Sequence, residues 1–295
     1  MKKLRYIVAL IGSSLLVLSG CSASNTRKGD NQSFVIHNPL DSIEPSEHPD
    51  PQAYQKITEL FTSSLSVLRA KEKVIQDCIA SKGFPEYTSV QENLYSLRAE
   101  ILVTPLSVEQ ARVHGYDIPA GDNYRRMAES QNSLSPEAYE ALYGRDSEPR
   151  IAGYPNGPTH SSDGCIVQGI SKIYGSDVDA VFMETIPLRA TTAYMNSFAL
   201  SDGFYGMLKR WSACMKKSTG KDIDYPEKEQ REYFSDHDIA LADAQCRERV
   251  DYEGYILKES TPYLTKFLEE NQSMIAKITE LKIVGENNAK EILKD

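Results

Sequence analysis

The chain lacks an excess of positive charge. It has 33 Lys and Arg residues against 42 Asp and Glu residues, which gives a formal net charge of −9. Because phosphate backbones and anionic lipids are bound by clustered Lys and Arg, this balance argues against a nucleic-acid partner and against general adhesion to anionic membranes. With 25% charged and 40% hydrophobic residues, the composition is that of a globular protein rather than a disordered one.

The sequence also lacks the short motifs of several common chemistries. It contains no Cys-x-x-Cys, which removes the usual signature of thiol oxidoreductases and the paired ligands of structural zinc sites. It contains no Gly-x-Ser-x-Gly nucleophile elbow, and its carboxylates are too numerous for one pair to stand out as a glycosidase acid and nucleophile. The motifs therefore assign no catalytic residue, no metal ligand and no cofactor.

Strand patterns are missing as well, since no alternating β-branched run and no βαβ rhythm is present. Apolar residues from Tyr54 to Ile79 instead recur at helical steps, which predicts one long amphipathic helix with Gly83 as its stop. We expect an all-α or mainly α fold, an irregular helical bundle with long loops. Further helices are predicted over Thr88–Ala99, Ser107–His114, Ser135–Tyr143, Cys165–Tyr174, Asp177–Thr185, Leu188–Ala199, Ser201–Lys217 and about 236–283, where Pro262 either kinks the helix or starts a new one after Thr261.

The first residues have the pattern of a secretory signal peptide. Lys2, Lys3 and Arg5 precede an apolar run from Tyr6 to Leu18. This run has 13 residues, fewer than the ~20 needed to cross a bilayer, so a permanent membrane span is not expected.

The following Leu18-Ser19-Gly20-Cys21 resembles the lipobox of bacterial lipoproteins. The resemblance implies that residues 1–20 are removed and that Cys21 becomes a diacylated N-terminus, with palmitate-type chains that hold the protein on the extracytoplasmic face of the cell membrane. Loss of the three basic residues would take the net charge from −9 to −12. The alternative is an ordinary signal peptide that is cut elsewhere and leaves Cys21 as a free thiol.

Residues 21–50 are poor in large apolar side chains and rich in Ser, Asn, Asp and Pro, so we predict a flexible stalk, with Phe34, Val35 and Ile36 able to dock locally. Residues 51–295 form the predicted helical domain, which could divide into two half-units at about 51–174 and 175–295.

Besides Cys21, the chain has Cys78, Cys165, Cys214 and Cys246, an even number in a chain expected to leave the cytoplasm. Two disulfides are favoured over free buried thiols, and three connectivities are possible. An internal echo between residues 74–87 and 210–225 places a Cys near the end of a helix in each half, each followed by one more Cys. We therefore predict the sequential pairs Cys78–Cys165 and Cys214–Cys246.

The body resembles a loose group of uncharacterised exported helical lipoproteins of Gram-positive actinobacteria. The segments that carry the resemblance lie between residues 54 and 285. They are Cys78 followed by Gly83-Phe84, Gly164-Cys165, Trp211-x-x-Cys214-Met215 and Ala240-Leu-Ala-Asp-Ala-Gln-Cys246-Arg247. The resemblance implies an exported location and structural cysteines, and it brings no activity and no catalytic residues.

Residues 119–164 are crowded with turn-forming residues and predict a long surface loop, which is either a connector or the place of a ligand site. Within it, His160 stands beside Ser161, Ser162 and Asp163, but neighbouring positions rarely supply the geometry of a Ser-His-Asp triad. We interpret His160 as a solvated loop residue. Two other histidines have structural interpretations, since Asp236 next to His237 indicates a helix cap and His114 a helix end.

The leading hypothesis is a lipid-anchored, non-enzymatic binding or scaffolding module of the cell envelope, with a protein or glycan as its partner. The second is an envelope hydrolase that acts on peptidoglycan or polysaccharide with acids from the long loop. The third is the substrate-binding lipoprotein of a transporter, a class usually built from two α/β lobes.

Overall fold

A computed structural model describes residues 34–85, 106–116, 134–145, 149–226 and 236–294. It confirms the mainly α fold. The helices are α1 (Ala53–Phe61), α2 (Leu65–Ser81), α3 (Val108–His114), α4 (Pro136–Tyr143), α5 (Cys165–Tyr174), α6 (Asp177–Ala190), α7 (Thr192–Ala199), α8 (Asp202–Thr219), α9 (His237–Arg249), α10 (Tyr252–Glu270) and α11 (Gln272–Ile292). Strands β1 (Arg150–Ala152) and β2 (Thr159–Ser161) pair as an antiparallel hairpin in which Ile151 faces His160.

The described helices share one hydrophobic core. Helices α2, α5 and α11 pack together, α10 packs on α1, α7 and α8, and α9 lies between α3 and α8. Because α11 contacts both α2 and α5, the core is continuous across the predicted boundary between half-units. Its largest fully buried side chains are Trp211, Tyr194, Tyr252, Phe182, Phe198 and Phe267.

The single helix predicted over 54–79 is wrong, because the chain breaks between α1 and α2. Thr62 is extended with φ −75° and ψ 126°, and the Ser64 side chain caps α2. Lys282 of α11 stabilises the break, since its ammonium donates to the carbonyls of Glu59, Leu60 and Thr62. Burial lowers the pKa of this ammonium.

Other helix predictions succeed where a cap stands in the sequence. Ser107 forms a capping box with Gln110 at the start of α3, and Ser135 caps α4 ahead of Pro136. Both interior prolines lie within continuous helices, Pro187 in α6 and Pro262 in α10, so neither begins a new helix. The helix predicted over Thr88–Ala99 lies outside the described residues.

Residues 34–50, here called the strap, lie against the body. Ile43 is buried, and its N–H donates to Ser197 Oγ at 2.8 Å. Ser46 Oγ donates a hydrogen bond to Glu269 at 2.7 Å, and the ring centroid of Phe34 lies 5.4 Å from that of Phe182 in α6. The prediction of a flexible stalk is therefore wrong for residues 34–50, because distant helices supply the partners that the local sequence lacks. Residues 21–33 lie outside the described part of the chain.

A second group of polar contacts holds the strap to α7 and α10. Glu270 accepts a hydrogen bond from Tyr194 at 2.8 Å and lies 3.1 Å from His37 Nε2. Burial acts to raise the pKa of Glu270, but the contacts with Tyr194, His37 and Lys266 outweigh it and lower the pKa.

Among the described residues, no helix combines the length and apolar character needed to cross a membrane.

Candidate functional site

The described part of the predicted loop lies flat on the body. At Gly153 the hairpin runs so close to α6 that a Cβ would lie 2.3 Å from the backbone nitrogen of Phe182. At Gly164 a Cβ would lie 2.6 Å from the carbonyl carbon of Tyr143. These approaches require glycine, and they bring Gly153 against α6 and Gly164 against the end of α4.

Asp163 organises the end of this loop. Arg145 donates its backbone N–H to Oδ1 at 3.1 Å and its Nε–H to Oδ2 at 3.0 Å. Ser161 Oγ is 2.7 Å from Oδ1. Burial acts to raise the pKa of Asp163, but the hydrogen bonds from Ser161 and Arg145 outweigh it and hold the pKa below its usual value.

Two links tie the loop to the end of α2. The Lys82 ammonium donates one hydrogen bond to the carbonyl oxygen of Asp163 at 2.5 Å and one to that of Ala141 at 3.4 Å. Cys78 forms a disulfide with Cys165, as predicted, with 5.6 Å between the Cα atoms. The second predicted pair, Cys214–Cys246, is also confirmed.

An open hollow of about 390 Å³ lies where α2, α4 and the loop meet. Two cations and three carboxylates line it, and both cations are engaged by the loop. On α4, Tyr139 is 53% exposed, with its ring centroid 4.5 Å from that of Tyr143. Helical spacing places Tyr139 on another face of α4 from Glu137, Glu140 and Ala141, which line the hollow. The lining residues are Lys82, Phe84, Glu137, Glu140, Ala141, Arg145 and Asp163. We take this hollow as the candidate site.

The structure does not assemble His160, Ser161 and Asp163 into a catalytic triad. Neighbouring strand residues point to opposite faces, and among the described residues no hydrogen bond joins His160 to Ser161 or Asp163. The Ser161 hydroxyl is buried, within hydrogen-bond distance of Asp163 and of the Arg145 carbonyl. His160 is half-buried in β2 rather than solvated, which corrects our interpretation, and burial lowers its pKa.

The structure contains two buried ionic groups that the sequence motifs do not predict. In the first, Lys71 of α2, which is 5% exposed, pairs with Glu184 of α6 and lies 5.4 Å from the ring centroid of Tyr174. Burial acts to lower the pKa of Lys71, but the interactions with Glu184 and Tyr174 outweigh this effect and raise the pKa. A lysine held as ammonium is a poor nucleophile, so this group links helices rather than performing chemistry.

The second group surrounds Asp243, which is fully buried. Arg247 donates to both carboxylate oxygens, at 2.7 Å and 2.6 Å. Trp211 Nε1 donates to Oδ1 at 2.9 Å, and the Tyr116 hydroxyl donates to Oδ2 at 3.2 Å. Buried charges are stable only when paired and hydrogen-bonded, and these contacts meet that requirement. The signal in the sequence was the Asp–Arg spacing of four within an alanine-rich helix.

The remaining histidine predictions are structural and agree with the structure. His114 is the last residue of α3, and Asp236 caps α9 by accepting the N–H of Ile239 at 3.2 Å. Within the described ranges, no group of three or more His, Cys, Asp and Glu side chains is arranged to hold a metal ion. Cys21 lies outside those ranges.

Comparison with known proteins found no matching family model, no matching curated protein and no matching solved structure.

Proposed function

We propose that this protein is a lipid-anchored, extracytoplasmic binding or scaffolding module of the cell envelope and not an enzyme. The signal sequence and the lipobox-like Leu18-Ser19-Gly20-Cys21 support the location and the anchor. The two disulfides support it independently, because disulfides persist mainly in oxidising, extracytoplasmic compartments.

The observation that carries the non-enzymatic part is that the loop carboxylate Asp163 is engaged in hydrogen bonds rather than free to act on a substrate. A hydrolase that used acids of this loop would need a free carboxylate, and the close approaches at Gly153 and Gly164 leave these loop segments packed against α6 and α4. Asp163 and Ser161 are engaged in bonds that hold the loop. The third hypothesis also loses support, because the two α/β lobes usual in transporter binding proteins contrast with the single hairpin in the described residues.

The binding surface in this proposal is α4, which borders the hollow with one face and carries the exposed Tyr139 on another. An exposed tyrosine offers a flat apolar face with a polar edge, which suits the faces of sugar rings and the side chains of a protein partner. Glu137 and Glu140 are exposed at the hollow, and its carboxylates outnumber its cations. This charge favours hydroxyl-bearing or cationic groups over anionic ones, so we expect a neutral or amine-bearing envelope glycan or a basic protein surface.

The anchor is tested by the intact mass of protein extracted from membranes, compared with a Cys21→Ala variant. We expect diacylation in the wild type and release of the variant from the membrane fraction. An unmodified Cys21 in membrane-extracted protein would contradict the anchor.

The binding surface is tested by co-sedimentation of the purified body with insoluble envelope polysaccharide and with envelope proteins. We expect the double variant Tyr139→Ala with Glu140→Gln to lose at least tenfold in retention. Ile283→Ala is the matched control, because Ile283 is 61% exposed on α11, outside the hollow. Turnover of an envelope substrate that one substitution abolishes without unfolding would contradict a non-enzymatic function.

A further inference from the structure

The two disulfides differ in how their sulfur atoms can be reached. Cys78 is partly exposed at the end of α2, whereas its partner Cys165 has no exposed surface. Cys214 is 8% exposed and Cys246 is fully buried. Thiol–disulfide exchange requires a thiolate to approach one sulfur directly, so in the folded protein Cys78 is the most accessible point of attack.

The helix ends decide which sulfur leaves well. Cys165 is the first residue of α5, directly after Gly164. A thiolate at a helix N-terminus is stabilised by free N–H groups and by the helix dipole, which lowers the thiol pKa and improves the leaving group. Cys78 lies in the last turns of α2, where the dipole disfavours a thiolate. Both effects direct attack to Cys78 with departure of Cys165.

We propose that Cys78–Cys165 is a redox-responsive disulfide that an external dithiol opens while the protein stays folded. A thiolate of the dithiol forms a bond to Cys78 Sγ, and the Cys78–Cys165 bond breaks with its electron pair moving to Cys165 Sγ. The second thiol of the reductant, as its thiolate, then attacks the reductant sulfur that is bonded to Cys78. The Cys78 thiolate leaves in this step. The dithiol ends as a disulfide, and two protons convert the protein thiolates into thiols.

The other disulfide lacks this combination. Cys214 and Cys246 lie near the C-terminal ends of α8 and α9, where the dipole does not favour a thiolate. The Arg249 guanidinium lies 3.3 Å from Cys214 Sγ and would stabilise a thiolate there. That route, however, requires attack at Cys246, which has no exposed surface. We therefore expect this disulfide to stay closed until the fold opens.

Opening of Cys78–Cys165 would act on the candidate hollow. Cys165 follows Asp163 by two residues, and Cys78 precedes Lys82 by one helical turn, so the disulfide and the Lys82–Asp163 contact join the same two segments. After reduction, the hydrogen bonds from Lys82 and the packing of α2 against α5 would remain as the links between them. Redox state would thus control how firmly the loop is held, whether or not the hollow binds a partner as proposed above.

The test is reduction of the full chain by dithiothreitol under non-denaturing conditions, with acid quenching at timed points, alkylation after denaturation and peptide mass mapping. We expect Cys78 and Cys165 to become alkylated at least tenfold faster than Cys214 and Cys246. Equal rates, or faster reaction of Cys214 and Cys246, would overturn the proposal. The double variant Cys214→Ala with Cys246→Ala is the control, and its Cys78–Cys165 pair should react at the wild-type rate if it is folded.

A monothiol identifies the attacked sulfur. With glutathione in place of dithiothreitol, we expect the mixed disulfide on Cys78 and a free thiol at Cys165. A mixed disulfide mainly on Cys165 would contradict the assigned direction of attack. Because neither measurement involves a ligand, failure of the redox proposal is distinguishable from failure of the binding proposal.

Discussion

The two disulfide-linked regions solve different problems with the same covalent bond. Around Cys78–Cys165, an exposed helix end meets a loop, and the neighbouring charges of Lys82, Arg145 and Asp163 lie at the rim of an open hollow. Around Cys214–Cys246, the neighbouring charges of Asp243 and Arg247 are 0% and 4% exposed, whereas Arg249, which contacts Cys214 Sγ, is exposed. A cross-link at a surface can hold a segment that is able to move, whereas one inside a core reinforces packing that is already complete.

The largest effect is expected from removal of each disulfide by paired Cys→Ala substitutions. The cross-linked residues are 87 positions apart in the first case and 32 in the second. The chain-entropy model gives upper estimates of about 4.6 and about 3.7 kcal/mol for the two contributions to the free energy of unfolding. Denaturant unfolding measures both. An unchanged curve after loss of either disulfide would contradict its structural role.

Asp243→Ala should cost nearly as much, because it leaves the buried Arg247 without its carboxylate. We expect a loss of about 3–5 kcal/mol in the free energy of unfolding. Asp222→Ala is the control, since Asp222 pairs with Lys216 at 2.7 Å but is 75% exposed, and its loss should cost about 0–1 kcal/mol. Similar losses for both variants would remove the contrast between the core and the surface.

Gly144→Ala should destabilise the loop region by about 1–3 kcal/mol. Gly144 has φ +82°, and a Cβ would lie 2.3 Å from Asp163 Oδ1. Gly175→Ala separates the two causes, because Gly175 has φ +88° and no atom lies within 4 Å of the position that a Cβ would take there. The excess loss at Gly144, measured by thermal unfolding, reports the crowding against Asp163. Equal losses would mean that backbone strain alone acts.

The smallest effect, about 1–2 kcal/mol at neutral pH, is expected for Asp163→Asn, which weakens the hydrogen bonds from Arg145 and Ser161. Because folding lowers the pKa of Asp163 below 3.8, its ionised form stabilises the fold above that pH. The free energy of unfolding of the wild type should therefore exceed that of the variant by less and less as the pH falls below 3.8. Unfolding curves at pH 7, 4 and 3 measure it, and a constant difference would contradict the assignment.

The elements that the sequence predicts correctly are those whose determinants are local. Ser107 and Ser135 mark the starts of α3 and α4 because a cap bonds to its own helix. The break before α2 has a local cap, Ser64, that the continuous apolar period hides, and it is stabilised by Lys282 from the far end of the chain. The strap depends on helices such as α7 and α10. Periodicity within a window contains neither kind of information.

The candidate site was predictable only in part. The cysteine pairing followed from the order of the helices and the repeated pattern around Cys78 and Cys214. The contacts of Asp163 with Arg145 and Lys82 depend on the turn geometry of the loop and on its glycines, which the sequence shows only as a crowd of small residues. The sequence indicates a solvated His160 because a short hairpin strand has too few positions to display an alternation.

The docked strap limits how far the body can lie from the proposed anchor at Cys21. With residues 34–50 docked on the body, 13 residue steps separate Phe34 from Cys21, the anchor in the function proposed above. At ~3.5 Å per residue, these steps span at most about 45 Å. A body anchored through Cys21 would therefore meet only partners that lie close to the membrane surface, and at a correspondingly high local concentration.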